Sequence, residues 1–145
     1  MKKIIVTLAL FVSTISAFAT EEKVSSKVLA AFQVEFNNAT EVEWTVGSSY
    51  YMASFTYRDN HVFAYYSLDG DLMGMTRYIS VDALSLALQS SLKKEYSEFW
   101  ISDLFEVSRK GSTDYYITLE NADKKIVLVA SAGSDWELFK KIRKD

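Results

Sequence analysis

Residues 50–67 read YYMASFTYRDNHVFAYYS, two strand-like runs separated by a short polar turn. Within each run the residues fall into two alternating sets, as in a β-strand whose side chains point to opposite faces of a sheet. The turn, Arg58-Asp59-Asn60-His61, contains asparagine and aspartate, which tolerate left-handed backbone. The stretch therefore predicts an antiparallel hairpin, and aromatic residues occur in both of its sets.

The hairpin belongs to an order of elements that the sequence states twice. A helix-period segment at 24–36 precedes four strand-like runs, and a second segment at 81–96 precedes four more. Tyr50-Tyr51 corresponds to Tyr115-Tyr116, and Gly70 corresponds to Gly133. Self-similarity of this length indicates a repeated supersecondary unit. The predicted strands are 41–46, 50–58, 61–67, 71–78, 101–109, 113–120, 125–131 and 135–142.

Both helix-period segments carry an apolar stripe at three- and four-residue spacing, which places the stripe on one face of a helix. The stripes are Val28, Leu29, Phe32 and Phe36 in the first segment, and Leu84, Leu88, Leu92 and Tyr96 in the second. Serines near residue 25 are candidate caps for the first helix, and Ser80 or Asp82 for the second. The predicted fold class is α+β, a tandem repeat of a helix plus a four-stranded antiparallel meander, with the helices packed on the sheet. Whether the strands form one sheet or two is left open.

The first 19 residues have the pattern of an export signal. Lys2 and Lys3 precede an apolar run, and Ala17-Phe18-Ala19 fits the small-residue rule, which predicts cleavage between Ala19 and Thr20. The alternative is a membrane anchor, but the run is shorter than the roughly 20 apolar residues that one span needs. We therefore expect a periplasmic or secreted bacterial protein that is not stably inserted in the membrane after cleavage.

Composition limits the classes of function. The 145 residues include 16 Lys and Arg, 19 Asp and Glu and no cysteine. Loss of residues 1–19 removes two lysines, so the net charge of the mature chain is about −5, which disfavours binding to nucleic acid. Stability must come from apolar burial, since disulfides are excluded. Residues 20–145 suit a single domain, with two repeats at about 24–79 and 81–143.

Residues with catalytic or metal-binding chemistry are sparse. His61 is the one histidine, and it lies at a predicted hairpin tip, where a solvated turn residue is the ordinary interpretation. Asp69-Gly70-Asp71 lacks the spaced carboxylates and the closing glutamate of a calcium loop. Glu41 and Glu43 share a strand face, and nothing visible separates their pKa values. We expect no enzyme, no metal and no cofactor.

The core and turn positions of this pattern resemble those of a known family. They are Phe32, Phe36, Ala39, Val42, Trp44, Tyr51, Ala53, Phe55, Ala64, Tyr66, Gly70, Leu72, Leu84, Tyr96 and Tyr116-Ile117-Thr118-Leu119. The chain resembles the small exported PepSY-like proteins of Bacteroidetes, which are described as β-lactamase-inhibitor-like because of their tandem α+β units. The resemblance covers nearly the whole mature chain and implies the fold class given above. Those sequences often carry proline after the first helix, where this chain has Asn37, and no inhibitory residue of the family maps here.

Aromatic residues and methionines on one sheet face form the candidate binding site. If one alternating set faces the helices, the other set lies on the opposite face of the sheet. The set expected on that opposite face is Tyr50, Met52, Phe63, Tyr65, Met73 and Met75. Tyrosine and methionine are enriched at protein contacts, and contiguous exposed apolar patches mark interfaces. The alternative is that this face is buried against the other half of the chain or a dimer mate.

Three functions are compatible with these observations. The first is a non-catalytic exported binding protein of the cell envelope that presents this face to a protein, peptide or envelope ligand. The second, by analogy of fold, is an inhibitor of a periplasmic hydrolase. The third is a small-ligand carrier with a pocket between helices and sheet. The identity of the partner and the formation of a homodimer are left open by the sequence.

Overall fold

The computed structural model describes residues 23–144, and the predicted signal peptide, residues 1–19, lies outside them. In these residues a helix and four strands are followed by a second helix and four more strands. The first half contains α1 (Ser26–Glu35), β1 (Thr40–Val46), β2 (Tyr50–Tyr57), β3 (Asn60–Ser67) and β4 (Leu72–Tyr78). The second half contains α2 (Leu86–Glu95), β5 (Trp100–Arg109), β6 (Ser112–Glu120), β7 (Lys124–Ser131) and β8 (Glu137–Arg143).

All eight strands form one antiparallel sheet, and their order in space is their order in the chain. The two halves are joined where β4 pairs with β5, with Met75 opposite Ser108 and Tyr78 opposite Phe105. The sheet is therefore continuous, which answers the question that the sequence left open. Strands β1 and β8 are its two edges.

The turn between β2 and β3 is tight because its two residues adopt positive φ. Arg58 and Asp59 have φ values of 49° and 63° and connect β2 to β3 as a two-residue loop, because Tyr57 pairs directly with Asn60. Two consecutive positive φ values match the right-handed twist of the flanking strands. The asparagine stabilises the loop from its side chain, since Asn60 Nδ2 donates a 2.8 Å hydrogen bond to the Arg58 carbonyl oxygen.

Each helix is capped by the serine that directly precedes it. The Ser25 hydroxyl accepts a 3.3 Å hydrogen bond from the Val28 amide, and the Ser85 hydroxyl accepts one of the same length from the Leu88 amide. These bonds satisfy amide donors that have no partner inside the helix. The first helix lies within its predicted range. The second does not begin at Ser80 or Asp82, because the buried Leu84 has an extended backbone and ends a short 3₁₀ turn before α2 starts.

The two helices pack on the same face of the sheet but over separate cores. The first core consists of Val28, Phe32, Phe36, Ala53, Phe55, Val62, Ala64 and Tyr66. The second core consists of Leu84, Leu88, Leu92, Leu104, Ile117, Leu119, Ile126, Leu128, Ala130 and Trp136. Ala53 and Ala64 are directly opposed in the β2–β3 register, so small side chains leave room for the rings of α1.

A bulge in β4 reverses the faces that the sequence predicted for this strand. Tyr66 pairs with Leu72 and Tyr65 pairs with Gly74, so Met73 is an extra residue between two consecutive pairs. Because side chains alternate with period two, one inserted residue moves every later side chain to the other face. Met75 is therefore opposite Ala64 and packs against the first core, which corrects its prediction as a residue of the opposite face.

Candidate functional site

The open face is the name used here for the sheet face opposite α1 and α2. Side chains alternate between the two faces along each strand, so a strand residue next to a core residue in the sequence points to the open face. The pairing of neighbouring strands extends this assignment across the sheet. No helix in residues 23–144 lies on this face, since both helices pack into the cores on the other side. Aromatic residues on the open face are therefore not covered by either helix.

A row of five aromatic rings crosses the open face on strands β3, β4, β5, β6 and β8. The ring centroids of Phe63 and Tyr78 are 6.4 Å apart, and those of Tyr78 and Phe105 are 6.5 Å apart. Phe105 stacks on Tyr116 at 5.3 Å with an interplanar angle of 9°, and Tyr116 contacts Phe139 at 5.6 Å. These five residues, called the aromatic row, form a continuous line of ring contacts across both halves of the chain, in which Tyr116 is buried and the other four rings are at least partly exposed.

Four of the six predicted site residues lie on the open face, but they are not equally accessible. Tyr65 is 5% exposed and Met52 is 8% exposed, whereas Tyr50 and Phe63 are half-buried. The rings cover one another, since the centroids of Tyr50 and Tyr65 are 6.1 Å apart. Burial also raises the pKa of the Tyr65 hydroxyl. Tyr65 and Met52 are therefore covered by neighbouring side chains and contribute little exposed surface. Phe63 is the member of the predicted set that belongs to the aromatic row.

The two remaining methionines are separated by the bulge. Met73 is 44% exposed at the inserted position, while Met75 lies on the helix side. The same shift brings Tyr78 to the open face, where it is the most exposed ring of the row at 59%. Tyr78 was not predicted from alternation, because β4 has apolar residues on both faces whether or not a bulge is present, so the sequence does not reveal the bulge.

The second-half members of the aromatic row were not predicted from the sequence, namely Phe105, Tyr116 and Phe139. The signal was present, because Phe105 and Tyr116 alternate with the core residues Leu104 and Ile117 on their strands. Alternation does not predict the face of Phe139, because the β7–β8 register shifts beside it, between Val127 and Leu128.

Asp103 stands on the open face two residues before Phe105. It is half-buried, and burial raises the pKa of its carboxyl group above the ordinary value. No Lys or Arg of residues 23–144 forms an ion pair with it. A depression of about 30 Å³ adjoins Asp103 and is lined by Phe63, Tyr65, Thr76, Arg77, Tyr78, Asp103 and Phe105.

Other carboxylates of the open face have cations beside them. Glu120 pairs with Lys144 at 2.9 Å and with Lys125 at 3.1 Å, and hydrogen bonds from these two lysines lower its pKa to about 2. Asp114 pairs with Arg109 at 3.1 Å and accepts a 2.7 Å hydrogen bond from the Ser131 hydroxyl. Asp103 differs from both of these carboxylates in having no such partner.

The histidine is placed on the open face near its β2–β3 end. The His61 Nε2 atom lies 3.0 Å from the Ser54 hydroxyl oxygen, and its ring packs against Phe63. Within the described part of the chain, no carboxylate hydrogen-bonds to the second ring nitrogen. A hydrolytic triad needs an acid that orients the imidazole, so this pair lacks one of its required parts. No cluster of three or more His, Cys, Asp or Glu side chains suited to a metal ion occurs between residues 23 and 144.

The helix side has two grooves above β4 and β5, between the two cores. They measure about 240 Å³ and 570 Å³, and both are lined by Met75 and Ser108. The smaller one also contains Arg77 and Glu106, which form an ion pair with Nε and Oε1 3.0 Å apart. Both grooves open to solvent beside the helices. They differ in this from the pocket predicted for a ligand carrier, which would lie between a helix and the sheet.

Comparison with solved structures shows that this fold occurs in proteins of Bacteroides. A BLIP-like protein of Bacteroides fragilis superposes with a TM-score of 0.72 at 19% identity, over 83% of this chain and 86% of that chain. A candidate periplasmic protein of Bacteroides eggerthii gives a TM-score of 0.72 at 13% identity, over 83% and 89% of the two chains. A DUF2874 family protein of Bacteroides ovatus gives 0.73 at 16% identity, over 84% and 89%.

These similarities confirm, at the level of the fold, the resemblance to β-lactamase-inhibitor-like proteins of this group of bacteria. No family model and no curated protein matches the sequence. Between residues 23 and 144, neither helix has the length and apolar character needed to cross a membrane.

Proposed function

We propose that this chain is a non-catalytic binding protein of the bacterial cell envelope and that its open face binds a protein partner. The aromatic row is the observation that carries the proposal. Five rings contact one another in series on a face that no helix of residues 23–144 covers, and four of them are at least partly exposed, as expected of a contiguous apolar patch at a protein interface.

The dimensions of the face suit a protein rather than a small molecule. From β2 to β8 there are six strand spacings of about 4.8 Å, and strands of about seven residues are about 23 Å long. The projected area is therefore about 670 Å², close to the roughly 800 Å² that a standard interface takes from each partner. By contrast, the depression beside Asp103 has a volume of about 30 Å³, which is far too small for a whole organic ligand.

Export and domain organisation are part of the proposal. The signal-like pattern of residues 1–19, together with the structural likeness to a candidate periplasmic protein, supports a periplasmic or secreted chain cleaved near Ala19-Thr20. The repeated order of helix and four strands supports a PepSY-like domain over 20–145, built from two tandem units. Within residues 23–144 the Ser54–His61 pair lacks the orienting acid of a hydrolytic triad, so we assign it no catalytic step.

A periplasmic hydrolase is a second candidate for the class of partner. The likeness in fold to a BLIP-like protein favours it, although the identity of 19% supports a comparison of fold alone. A small-ligand carrier has weaker support, because the helix-side depressions are open grooves between two separate cores.

Site-specific photo-crosslinking in cells of the native species tests the proposal. A benzophenone amino acid replaces Tyr78 in one variant and Val34 in the other. Val34 is a matched control because it is 84% exposed on α1, on the other side of the sheet. We expect one discrete protein adduct from position 78 and none from position 34. Equal adducts at both positions, or none at position 78, would refute binding through the open face.

The captured protein must then bind in purified form. We expect Tyr78→Ser to weaken its affinity by about 30-fold or more, the effect of removing an exposed aromatic anchor. Val34→Ser should leave the affinity unchanged. If the two variants bind equally well, the adduct came from proximity rather than from a specific interface.

A further inference from the structure

We propose that the depression beside Asp103 binds the ammonium group of a lysine side chain of the partner protein. The inference rests on the proposed function, since it assigns the chemistry of one anchor point within the open face. It concerns the short segment of that face where β3, β4 and β5 lie side by side.

The rings around the depression are arranged as its walls. Phe63 and Tyr78 meet at an interplanar angle of 83°, and Tyr78 and Phe105 meet at 73°. Because adjacent rings are nearly perpendicular, the three do not lie in one flat layer, and all three line the hollow. The faces of aromatic rings carry partial negative charge and attract a cation placed within about 6 Å of the ring centre.

The carboxylate at this hollow forms no ion pair within residues 23–144, although the charge of Lys125 acts on it and lowers its pKa against the larger effect of burial. The nearby Lys125 is held by Glu120, with 3.1 Å between Nζ and Oε1. Arg77 is held by Glu106 on the helix side of the sheet, so its charge is already compensated there. A half-buried carboxylate without an ion pair is unfavourable in the isolated protein, and a cation brought by the partner would compensate it.

The volume of the hollow selects a compact cation. About 30 Å³ accommodates a group close to the size of one water molecule, which fits the ammonium head of lysine. The planar guanidinium of arginine also pairs with carboxylates and stacks on aromatic rings, but it is wider than an ammonium group and exceeds the volume of the hollow. The rest of the ligand must therefore lie outside the hollow, along the aromatic row, as the surface of a protein does.

The charge of the chain favours a protein over a lipid headgroup as the source of the ammonium. Phosphoethanolamine lipids carry a phosphate beside the amine, and the protein has 19 acidic against 16 basic residues. Around the hollow, Lys125 and Arg77 are both engaged by glutamates, so neither of these described cations is free to bind that phosphate. A lysine on a protein surface brings the cation without this anion.

A titration with n-butylammonium, which reproduces the lysine side chain, tests the inference without knowledge of the partner. The isotope-labelled protein, residues 20–145, is followed by amide NMR shifts. We expect saturable binding on the order of millimolar, with the largest shifts at Phe63, Tyr78, Asp103 and Phe105. n-Butanol, butylguanidinium and glycerophosphoethanolamine serve as the neutral, arginine-like and lipid-like probes, and each should bind about tenfold more weakly or not at all.

Two matched variants locate the charge requirement. Asp103→Asn should weaken n-butylammonium binding by about tenfold or more, because the charge-assisted hydrogen bond is lost. Asp69→Asn removes the same charge at the β3–β4 turn, where Asn-Gly replaces Asp-Gly without a change of turn type, and should bind as the wild type does.

Equal affinity of Asp103→Asn and wild type, or shifts that map elsewhere, would overturn the inference. Tighter binding of glycerophosphoethanolamine or butylguanidinium would overturn the assignment to lysine. These outcomes are separate from failure of the proposed function. A crosslinked partner at position 78, with no ammonium binding, would leave the open face as an interface and remove only its lysine anchor.

Discussion

Replacement of Phe32 by alanine measures how α1 is held on the sheet. The Phe32 ring is 5% exposed, and its centroid lies 5.0 Å from that of Phe55, 5.2 Å from Trp44 and 5.4 Å from Phe36. A ten-residue helix is marginal in isolation, so α1 depends on these contacts. Phe32 is consequently the residue whose loss should most weaken the first half of the chain.

The expected cost follows from the surroundings of the ring. Removing a phenylalanine ring from a core generally costs about 3–5 kcal/mol, depending on how far the site collapses. Here the neighbours are large rings on α1, β1 and β2, which do not fill the space by small movements. We therefore expect a loss of about 4 kcal/mol in the free energy of unfolding. For a domain of this size the melting temperature should fall by about 12–16 °C.

Urea denaturation followed by tryptophan fluorescence is the assay, with Val34→Ala as the control on the same helix. Val34 is 84% exposed, so this change should alter the free energy of unfolding by less than about 0.5 kcal/mol. Coincident unfolding midpoints of the two variants would refute this expectation. That result would mean that α1 is not anchored through the Phe32 ring.

Three further predictions concern the open face and its charges. Tyr78→Ser should change the free energy of unfolding by less than about 1 kcal/mol, because the ring is 59% exposed, and a larger loss by thermal denaturation would make Tyr78 a core residue. Asp103→Asn should be more stable than wild type at pH 7. Its raised pKa means that stability falls as pH rises through the folded-state value, so the difference should vanish in acid, and an equal melting temperature at pH 7 would contradict this. Glu120 has the opposite sign, because its pKa is lowered to about 2, first by Lys144 and then by Lys125. The stabilisation that it provides is present above its ordinary pKa and is lost as pH falls toward 2, so Glu120→Gln should flatten this part of the acid denaturation curve, and an unchanged curve would argue against these ion pairs.

The sequence predicted the elements of this fold well because most of them follow a single period. Alternation placed Ala53, Phe55, Val62 and Ala64 beneath the first helix, and they form the first core there. Strand ends agree with the structure to within two residues, since glycine, aspartate and asparagine mark the turns. The start of α2 was misplaced, because Leu84 satisfies the helical spacing but is buried from an extended backbone.

The candidate site was predicted only in part, for reasons of register and long-range pairing. A bulge leaves no clear trace in the run Leu72-Met73-Gly74-Met75, where apolar residues satisfy either register, so Met75 was placed on the wrong face. The strands β4 and β5 are separated by α2 in the sequence, so local patterns do not specify that they pair. The contact of Tyr78 with Phe105, which joins the two halves of the aromatic row, therefore became visible only in the structure.

Binding of a partner through the open face can be mapped by amide NMR of the labelled protein with the partner captured at position 78. We expect shifts and line broadening to concentrate on open-face residues of β3 to β6, with Tyr78, Asp103 and Phe105 among the strongest, while α1 and α2 change little. Strong perturbation of α1 and α2, with the aromatic row unaffected, would show that the partner binds the helix side and not the open face.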